Sequence, residues 1–209
     1  MTRDAVRRAA RRAARIFAGV VVLLLVVAGD APRAERPATH DPGRDAAGET
    51  TGAAAALQRP ATVVLVRHAE AGGTHGGDPE LTDVGARRAA ALARLLGSSR
   101  VTQLYATEFR RTQQTLAPLA ERTGLRPTIV PGRDLAPQLR ALRELPAGSV
   151  AVVAGHSNTV PALVRGLGGE PSGTRATEHG EMLPDDAYER LFIVVLSAPP
   201  VTIELRYGP

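Results

Sequence analysis

The stretch ATVVLVRHAE, at residues 61–70, constrains the fold more than any other part of this chain. Residues 62–66 form a short block of β-branched and aliphatic side chains, which is typical of a strand buried on both faces of a parallel sheet. Open α/β folds place their ligands at the carboxyl ends of such strands, so Arg67 and His68 should stand at the mouth of a pocket. Because a guanidinium group against an apolar strand needs an anionic partner, we expect this pocket to bind an anion.

The residues that follow alternate between strand and helix signals. Predicted strands lie at 62–66, 101–106, 128–130 and 149–156, two more close the domain at 191–198 and 201–207, and predicted helices lie at 109–124, 135–145 and 158–169. A further helix is expected between Thr82, whose hydroxyl can cap its start, and Gly97, which can end it. The polar residues 170–190 predict a long loop. This alternation predicts an α/β fold, a three-layer sandwich with a mostly parallel central sheet flanked by helices on both faces.

The first 59 residues differ in composition from the rest. Residues 1–15 form a basic region with six arginines and one acidic residue. Residues 16–29 carry no charge, and their length predicts either the apolar core of a signal peptide or a short membrane anchor, since a full membrane span needs about 20 apolar residues. Residues 30–59 have little to bury, which predicts a disordered linker to a folded domain at 60–209.

The charges around the apolar segment predict its orientation. The basic region precedes the segment, whereas the charges just after it balance. Because basic flanks stay on the cytoplasmic side, the folded domain is expected outside the cytoplasm. It would be secreted, or tethered to the membrane through residues 16–29 if these are not cleaved.

The balance of charge argues against a nucleic-acid partner. Residues 1–15 account for the whole formal net charge of +5, so the remaining residues carry no net charge and offer no expected basic face. The chain has no cysteine, which excludes disulfides and thiolate metal ligands.

Two of the predicted strands run directly into a histidine, His68 and His156. Arg67 stands at the first of these strand ends, and Arg110 or Arg111 stands at the start of a predicted helix. Guanidinium groups match phosphate oxygens bidentately and stay charged, so two of them beside imidazoles predict a phosphoryl-binding site. A neutral histidine held against a bound phosphoryl group can attack phosphorus as a nucleophile.

Four segments of the chain resemble the motifs of the histidine phosphatase superfamily, also called the phosphoglycerate-mutase-like family, and the small domain resembles its small-domain branch. They are LVRHAE (65–70), LTDVG (81–85), YATEFRRTQQT (105–115) and VAGHSNTVP (153–161), and they occur in the family's order and spacing. The resemblance implies the family's fold, a phosphohistidine intermediate, and a reaction without a metal or other cofactor.

Position by position, the resemblance implies that His68 becomes phosphorylated and that Arg67 binds the phosphoryl group beside it. In the second arginine block, Thr107 stands four residues before Arg111 and Gln114 three residues after it, as the family pattern requires. Arg111 is therefore expected to be the second phosphate-binding arginine.

The fourth block carries the second catalytic histidine. By resemblance, His156 faces the nucleophile and stabilises the charge on the phosphoryl oxygens in the transition state. Ser157 and Asn158 follow it and are expected near the bound phosphate. Asn158 is also expected to cap the following helix.

The donor of a proton to the leaving group is the main departure from the family. The acid-phosphatase branch has an aspartate directly after the second histidine, where this chain has Ser157. The mutase branch has a glutamate in an insertion after the second helix, where Asp134 is the nearest acid and Glu144 lies further on. Glu70 is another possible donor, although it could equally brace Arg67. A phosphatase without a built-in acid is expected to prefer phosphoramidates, acyl phosphates or anhydrides to alkyl phosphates.

These features predict a metal-independent phosphatase that works through a phosphohistidine on His68. Its substrate is expected to be a phosphorylated small molecule or a phosphoprotein, with specificity determined by the loops at 71–80, 131–138 and 170–187. A phosphohistidine phosphatase and a mutase are alternatives from the same family. A non-catalytic module of the cell envelope that binds a phosphorylated ligand is an alternative of a different class.

Overall fold

The computed structural model describes residues 59–72, 77–178 and 180–208. Within these ranges the strands are β1 (Thr62–Arg67), β2 (Gln103–Thr107), β3 (Thr128–Val130), β4 (Val150–Gly155), β5 (Arg175–Thr177), β6 (Gly180–Met182), β7 (Arg190–Val195) and β8 (Val201–Arg206). The helices are α1 (Asp83–Leu96), α2 (Arg110–Thr123), α3 (Leu135–Arg143) and α4 (Thr159–Gly166). The predicted strands and helices are thus present, with boundaries shifted by up to three residues.

Six strands form one sheet in the order β3-β2-β4-β1-β7-β8. The pairs β1–β4, β4–β2 and β2–β3 are parallel, whereas β7 and β8 add antiparallel strands at one edge. Parallel neighbours need crossover connections, and the helices supply them. The expected fold class, α/β with a mostly parallel central sheet between helices, is confirmed.

The central strand β1 is buried on both faces, as its apolar sequence predicts. Val63 and Leu65 pack against residues of α3 and α4 on one face, while Val64 and Val66 pack against residues of α1 and α2 on the other. All four side chains are at most 3% exposed. Burial of an aliphatic side chain contributes about 1.5–3 kcal/mol, so the strand that ends in Arg67 is firmly anchored.

Thr82 and Gly124 lie at helix ends as the sequence predicts, whereas Gly97 ends α1 in a different conformation from the expected one. The hydroxyl of Thr82 accepts a hydrogen bond from the Gly85 amide at 3.1 Å, which caps the start of α1. Gly124 ends α2 with a left-handed φ of 71°. Gly97 ends α1 at a φ of −62°, so its glycine is not needed for a left-handed turn. A Cβ there would instead collide with the side chain of Arg122.

Residues 170–190 contain two short strands where the sequence predicted a continuous loop. β5 and β6 pair antiparallel as a separate two-stranded sheet. Each strand has three residues and no buried side chain, so no alternation of apolar and polar residues marks it. The prediction of a loop here was therefore wrong in part.

The predictions for residues 1–15, for the apolar segment 16–29 and for most of the linker lie outside the described residues. They stay predictions. Within the described ranges, no helix combines the length and the apolar character that a membrane span requires.

Candidate active site

The register of the sheet brings the two histidines side by side. Arg67 of β1 stands opposite Gly155 of β4. The pairing continues one step further, because the His68 amide donates to the Gly155 carbonyl at 2.8 Å. A histidine follows the last residue of each strand, and the ring centroids of His68 and His156 lie 5.4 Å apart, edge to face. Both rings therefore stand at the carboxyl edge of the parallel part of the sheet.

The ring of His68 is held in one tautomer. Its Nδ1 lies 2.8 Å from the carbonyl oxygen of Ala69. A carbonyl can only accept a hydrogen bond, so Nδ1 carries the hydrogen and Nε2 keeps its lone pair. Ala69 is itself fixed by α2, because its amide donates to the hydroxyl of Thr115 at 2.9 Å. Nε2, which faces away from Ala69, is thus the ring nitrogen with a free lone pair.

Both histidines are neutral at neutral pH. Burial lowers the pKa of His68 to about 4, and the neighbouring His156 and Arg67 act in the same direction, while the hydrogen bond to Ala69 opposes them. Burial also lowers the pKa of His156 to about 4, assisted by the charges of Arg111 and Arg67. The site therefore combines uncharged imidazoles with permanently charged guanidinium groups.

Arg67 is buried, with 8% of its surface exposed, and the segment 184–188 holds its guanidinium group. Nη1 donates to the carbonyl oxygens of Pro184 at 3.0 Å and Asp185 at 2.8 Å, and Nη2 donates to the hydroxyl of Tyr188 at 3.2 Å. Nε is buried and has no hydrogen-bond partner among the described residues. Because Nε and Nη2 share one edge of the guanidinium group, this edge can offer two N–H groups to an oxyanion.

Arg111 lies in the first turn of α2 and faces the site. Its Cζ stands 4.4 Å from the ring centroid of Phe109, and its Nη1 lies 3.5 Å from Oδ1 of Asp78. The same carboxylate accepts from the Arg110 amide at 2.9 Å, at the start of the helix. The side chain of Arg110 is 58% exposed and pairs with Glu80 instead. The structure thus directs Arg111 inward and Arg110 outward, the arrangement that the motif spacing implies.

A chain of hydroxyl groups orients His156. The Nε2 of His156 lies 3.1 Å from the hydroxyl of Thr107, which lies 2.9 Å from the hydroxyl of Thr112. Thr112 donates to backbone carbonyls, including that of Phe109 at 2.8 Å. Thr112 therefore accepts from Thr107, and Thr107 accepts from Nε2–H. The Nδ1 of His156 is then the nitrogen that can gain a proton when a phosphoryl anion binds.

Glu70 is bound by Arg88 of α1 rather than by Arg67. The Nη2 of Arg88 lies 2.7 Å from Oε1 of Glu70. Burial raises the pKa of Glu70, but the hydrogen bonds and charge of Arg88 outweigh this effect and the net pKa is lowered. Because an ionised carboxylate has no proton to give, the pairing argues against Glu70 as the proton donor. The alternative expectation, that Glu70 braces Arg67, was wrong, because its carboxylate binds Arg88 instead.

The LTDVG motif places α1 against the strand end. The Thr82 amide donates to the Glu70 carbonyl at 2.9 Å, and the Leu81 amide donates to Oε1 of Gln114 at 2.8 Å. A Cβ at Gly85 would collide with the backbone of Glu70. The glycine of this motif therefore permits the close approach of the helix, and Gln114 of the second arginine block ties α2 to the same segment.

For the remaining predicted site residues, Asp134, Ser157 and Asn158, the structure shows no side-chain hydrogen bond to either histidine. Asp134 is exposed and caps α3, since its Oδ1 accepts from the Ala136 amide at 3.1 Å. Ser157 is half-buried and Asn158 exposed in the turn after β4. The side chain of Asn158 makes no capping hydrogen bond. This corrects the predicted cap: the backbone of Asn158 is helical (φ −91°, ψ −35°), whereas a capping residue is normally extended, and the Val160 amide already donates to the His156 carbonyl at 3.0 Å. The roles of Asp134, Ser157 and Asn158 at the phosphate stay predictions.

Tyr188 is the neighbour of the site that the sequence did not reveal. Its ring lies 4.1 Å from Cζ of Arg67 and 6.1 Å from the ring of His68, measured to centroids. It belongs to a polar stretch far along the chain, and only its position just before the apolar strand β7 could have drawn attention to it. Asp78 and Arg88 were missed for a similar reason, since single charged residues carry no periodic signal.

In the part of the chain that the structure describes, no group of three or more histidine, aspartate or glutamate side chains is placed to hold a metal ion.

Two neutral imidazoles and two guanidinium groups at the carboxyl edge of an α/β sheet form an arrangement that is suited to phosphoryl transfer. Residues 63–136 match the model of the histidine phosphatase superfamily (branch 1). The match covers three of the four motifs, LVRHAE, LTDVG and YATEFRRTQQT, so it confirms the resemblance predicted from them and supports the prediction of a phosphatase. The matched segment ends before His156, whose place in the site follows from its register with His68.

Solved structures share the fold at low sequence identity. The SixA protein of Agrobacterium tumefaciens is 17% identical, with a TM-score of 0.52 over 71% of this chain and 97% of its own. The protein histidine phosphatase SixA in complex with tungstate is 19% identical, with a TM-score of 0.52 over 69% of this chain and 96% of its own. A mycobacterial glucosyl-3-phosphoglycerate phosphatase is 18% identical, with a TM-score of 0.45 over 65% of this chain and 90% of its own. A comparison with curated proteins returned no match.

Proposed function

We propose that this domain hydrolyses phosphorylated substrates in two steps, through a phosphohistidine on His68 and without a metal ion. The observation that carries the proposal is the 2.8 Å hydrogen bond between Nδ1 of His68 and the Ala69 carbonyl. It leaves Nε2 without a proton, and a pKa of about 4 keeps the ring neutral at pH 7. A nucleophile in this state needs no additional base.

In the first step, Nε2 of His68 attacks phosphorus and the bond to the leaving group breaks. Negative charge spreads over the three remaining phosphoryl oxygens in the transition state. The Nε–Nη2 edge of Arg67 and the guanidinium group of Arg111 would stabilise this charge. The pKa of His156 is about 4 in the free site. His156 would take up a proton as the phosphoryl anion binds and would then donate a hydrogen bond to a phosphoryl oxygen.

In the second step, water attacks the phosphohistidine and releases inorganic phosphate. The P–N bond breaks and His68 returns to its neutral form. The positive charge that a metal ion would supply elsewhere comes from the two arginines, which remain charged at all relevant pH values. Activity should therefore persist after dialysis against EDTA, and restoration of a lost activity by added Mg²⁺ or Zn²⁺ would contradict this part of the proposal.

The test is phosphate release from a panel of phosphate monoesters, acetyl phosphate and phosphoramidate by the wild-type protein and His68→Ala. We expect the wild type to release phosphate from at least one class and the variant to lose at least about 100-fold of this activity. Equally slow phosphate release by both proteins from all substrates would refute the hypothesis that the domain is an enzyme. If the protein still bound inorganic phosphate, that outcome would favour the alternative of a non-catalytic module that binds a phosphorylated ligand.

A phosphohistidine phosphatase is the second candidate. Glu70 and Asp134, two of the acids that the sequence suggested as proton donors, have other partners, since Arg88 binds Glu70 and Asp134 caps α3. Leaving groups that need little protonation, such as the nitrogen of a phosphoramidate, would then be favoured. A kcat/KM for a phosphohistidine peptide far above the value for alkyl phosphates would support this candidate.

We propose an extracytoplasmic location for the domain. Support comes from the uncharged residues 16–29, preceded by the arginine-rich residues 1–15. A pair of reporters fused after residue 209, one active only in the cytoplasm and one active only outside it, tests the location. Activity of the cytoplasmic reporter alone would refute it.

A further inference from the structure

Tyr188 is joined to the catalytic arginine in two ways. Its hydroxyl accepts a hydrogen bond from Nη2 of Arg67 at 3.2 Å, and its ring lies 4.1 Å from Cζ of the same guanidinium group. Its ring centroid is 6.1 Å from that of His68. The hydroxyl accepts from Arg67, so it keeps its own hydrogen for a second partner.

A phosphoryl group in this site would lie next to that hydroxyl. The edge of Arg67 that offers N–H groups to an oxyanion comprises Nε and Nη2, and Nε is buried without a partner among the described residues. Tyr188 is bonded to the same Nη2. A group bound on this edge and attacked by His68 is therefore within reach of the tyrosine hydroxyl.

The carboxylates around the site are occupied elsewhere. Glu70 is ion-paired with Arg88, Asp134 caps α3, and Asp78 accepts from the Arg110 amide and lies against Arg111. The hydroxyl of Thr107 is buried and donates to Thr112. Tyr188 thus offers a hydroxyl hydrogen that no hydrogen bond among the described residues uses, and it lies beside the edge of Arg67 that is open to an oxyanion.

We propose that Tyr188 donates the proton to the leaving group. The proposal rests on the proposed function and deepens it. As Nε2 of His68 forms its bond to phosphorus, the P–O bond to the leaving group breaks, and the leaving oxygen takes the hydrogen of the tyrosine hydroxyl. The resulting phenolate is stabilised by its hydrogen bond from Arg67. When water attacks the phosphohistidine, the phenolate takes a proton from that water, which restores both side chains.

This role makes a prediction about substrate class. A donor at the leaving oxygen matters most for poor leaving groups and little for good ones. The enzyme would thus hydrolyse phenyl and alkyl phosphates as well as phosphoramidates and acyl phosphates. Without the hydroxyl, only the substrates with good leaving groups would remain.

The test compares Tyr188→Phe with the wild-type full-length protein on a leaving-group series: acetyl phosphate, p-nitrophenyl phosphate, phenyl phosphate and an alkyl phosphate. We expect kcat/KM of the variant to fall by about 100-fold for phenyl and alkyl phosphates and by less than about threefold for acetyl phosphate. Calorimetric titration with inorganic phosphate shows that the variant keeps a folded site. Tyr207→Phe is the matched control, because its buried hydroxyl has no hydrogen-bond partner among the described residues.

Each outcome bears on a different claim. A decrease in kcat/KM of equal size across the whole series would show that Tyr188 only positions Arg67. An unchanged kcat/KM would show that Tyr188 has no part in the reaction. Either result overturns the proposal. A wild-type protein that matches His68→Ala on every substrate would instead overturn the proposed function itself. A leaving-group-dependent loss in Tyr188→Phe with an intact phosphate site supports both claims.

Discussion

Arg88 binds both carboxylate oxygens of Glu70. Its Nε lies 3.0 Å from Oε1 and 2.9 Å from Oε2, and its Nη2 lies 2.7 Å from Oε1. The guanidinium group also donates to the Tyr207 carbonyl at 2.8 Å, so it connects α1 to the end of β8. Glu70, two residues after His68, is therefore part of a structural link between the end of β1, α1 and the end of β8.

Replacing Glu70 by Gln should affect stability more than the protonation of the leaving group. Loss of a charge-assisted hydrogen bond typically costs about 1.5–3 kcal/mol, so we expect the free energy of unfolding in urea to fall by about that amount. The kcat/KM for phenyl phosphate should fall by less than tenfold. Arg88→Met and the double variant complete a cycle that isolates the pair. A loss of about 100-fold restricted to poor leaving groups would make Glu70 the proton donor after all.

Thr107→Val should impair the orientation of His156. The substitution preserves shape but removes the hydroxyl that lies 3.1 Å from Nε2. One hydrogen bond contributes about 0.5–1.5 kcal/mol, so we expect kcat to fall by up to about tenfold and the unfolding free energy by about 1 kcal/mol. Thr123→Val removes a hydroxyl that donates to Leu119 at 2.7 Å on the same helix as Thr112, and it should lower stability without lowering kcat. An unchanged kcat in Thr107→Val would show that the hydroxyl chain has no part in catalysis.

Asp78→Asn should strengthen phosphate binding. The carboxylate lies 3.5 Å from Nη1 of Arg111 and competes with a phosphoryl group for its charge. An amide oxygen can still accept from the Arg110 amide, so the start of α2 is preserved. Partly exposed ion pairs contribute about 0.2–1 kcal/mol, which predicts a decrease of up to about fivefold in the Kd for inorganic phosphate. Asp134→Asn is the control, and weaker phosphate binding in Asp78→Asn would contradict the competition.

The histidines should titrate far below their ordinary pKa. Burial and neighbouring positive charge lower the pKa of both His68 and His156 to about 4, against 6.5 in the unfolded chain. NMR titration of the phosphate-free protein, assigned with His68→Asn, should therefore show midpoints near 4, and midpoints between 6 and 7 would contradict the description of the site.

The same shift predicts how stability depends on pH. Between about pH 6.5 and pH 4 the unfolded chain binds protons that the two folded histidines do not. The unfolding free energy should therefore fall as the pH is lowered through this window, and the contribution of the histidines should level off below about pH 4. His68→Asn should reduce the slope in urea unfolding experiments, and an unchanged slope would argue against its lowered pKa.

The sequence predicted the parts of the site that strand ends determine. A buried strand that runs into Arg67 and His68, and a second one that runs into His156, necessarily deliver these side chains to one edge of a parallel sheet. The motif spacing also distinguished Arg111 from Arg110, because residues one apart on a helix point in different directions.

The contacts between distant segments could not be predicted in the same way. Tyr188 reaches Arg67 across more than a hundred residues, and Asp78 reaches Arg111 from a glycine-rich loop. Loop conformation depends on hydrogen bonds that leave no period in the sequence. The side chain of Asn158 failed as a cap for a local reason, since its own backbone is helical whereas a capping residue is normally extended.

The most direct test of the account is the identification of the phosphorylated residue. Excess enzyme is mixed with acetyl phosphate, quenched in alkali within milliseconds to seconds, digested and analysed by mass spectrometry, because phosphohistidine survives alkaline conditions. We predict a phosphoryl group on His68 in the wild-type protein, accumulating before phosphate is released, and none in His68→Ala. Phosphate release in a single turnover without a phosphorylated His68, or with the label on another residue, would contradict the central claim.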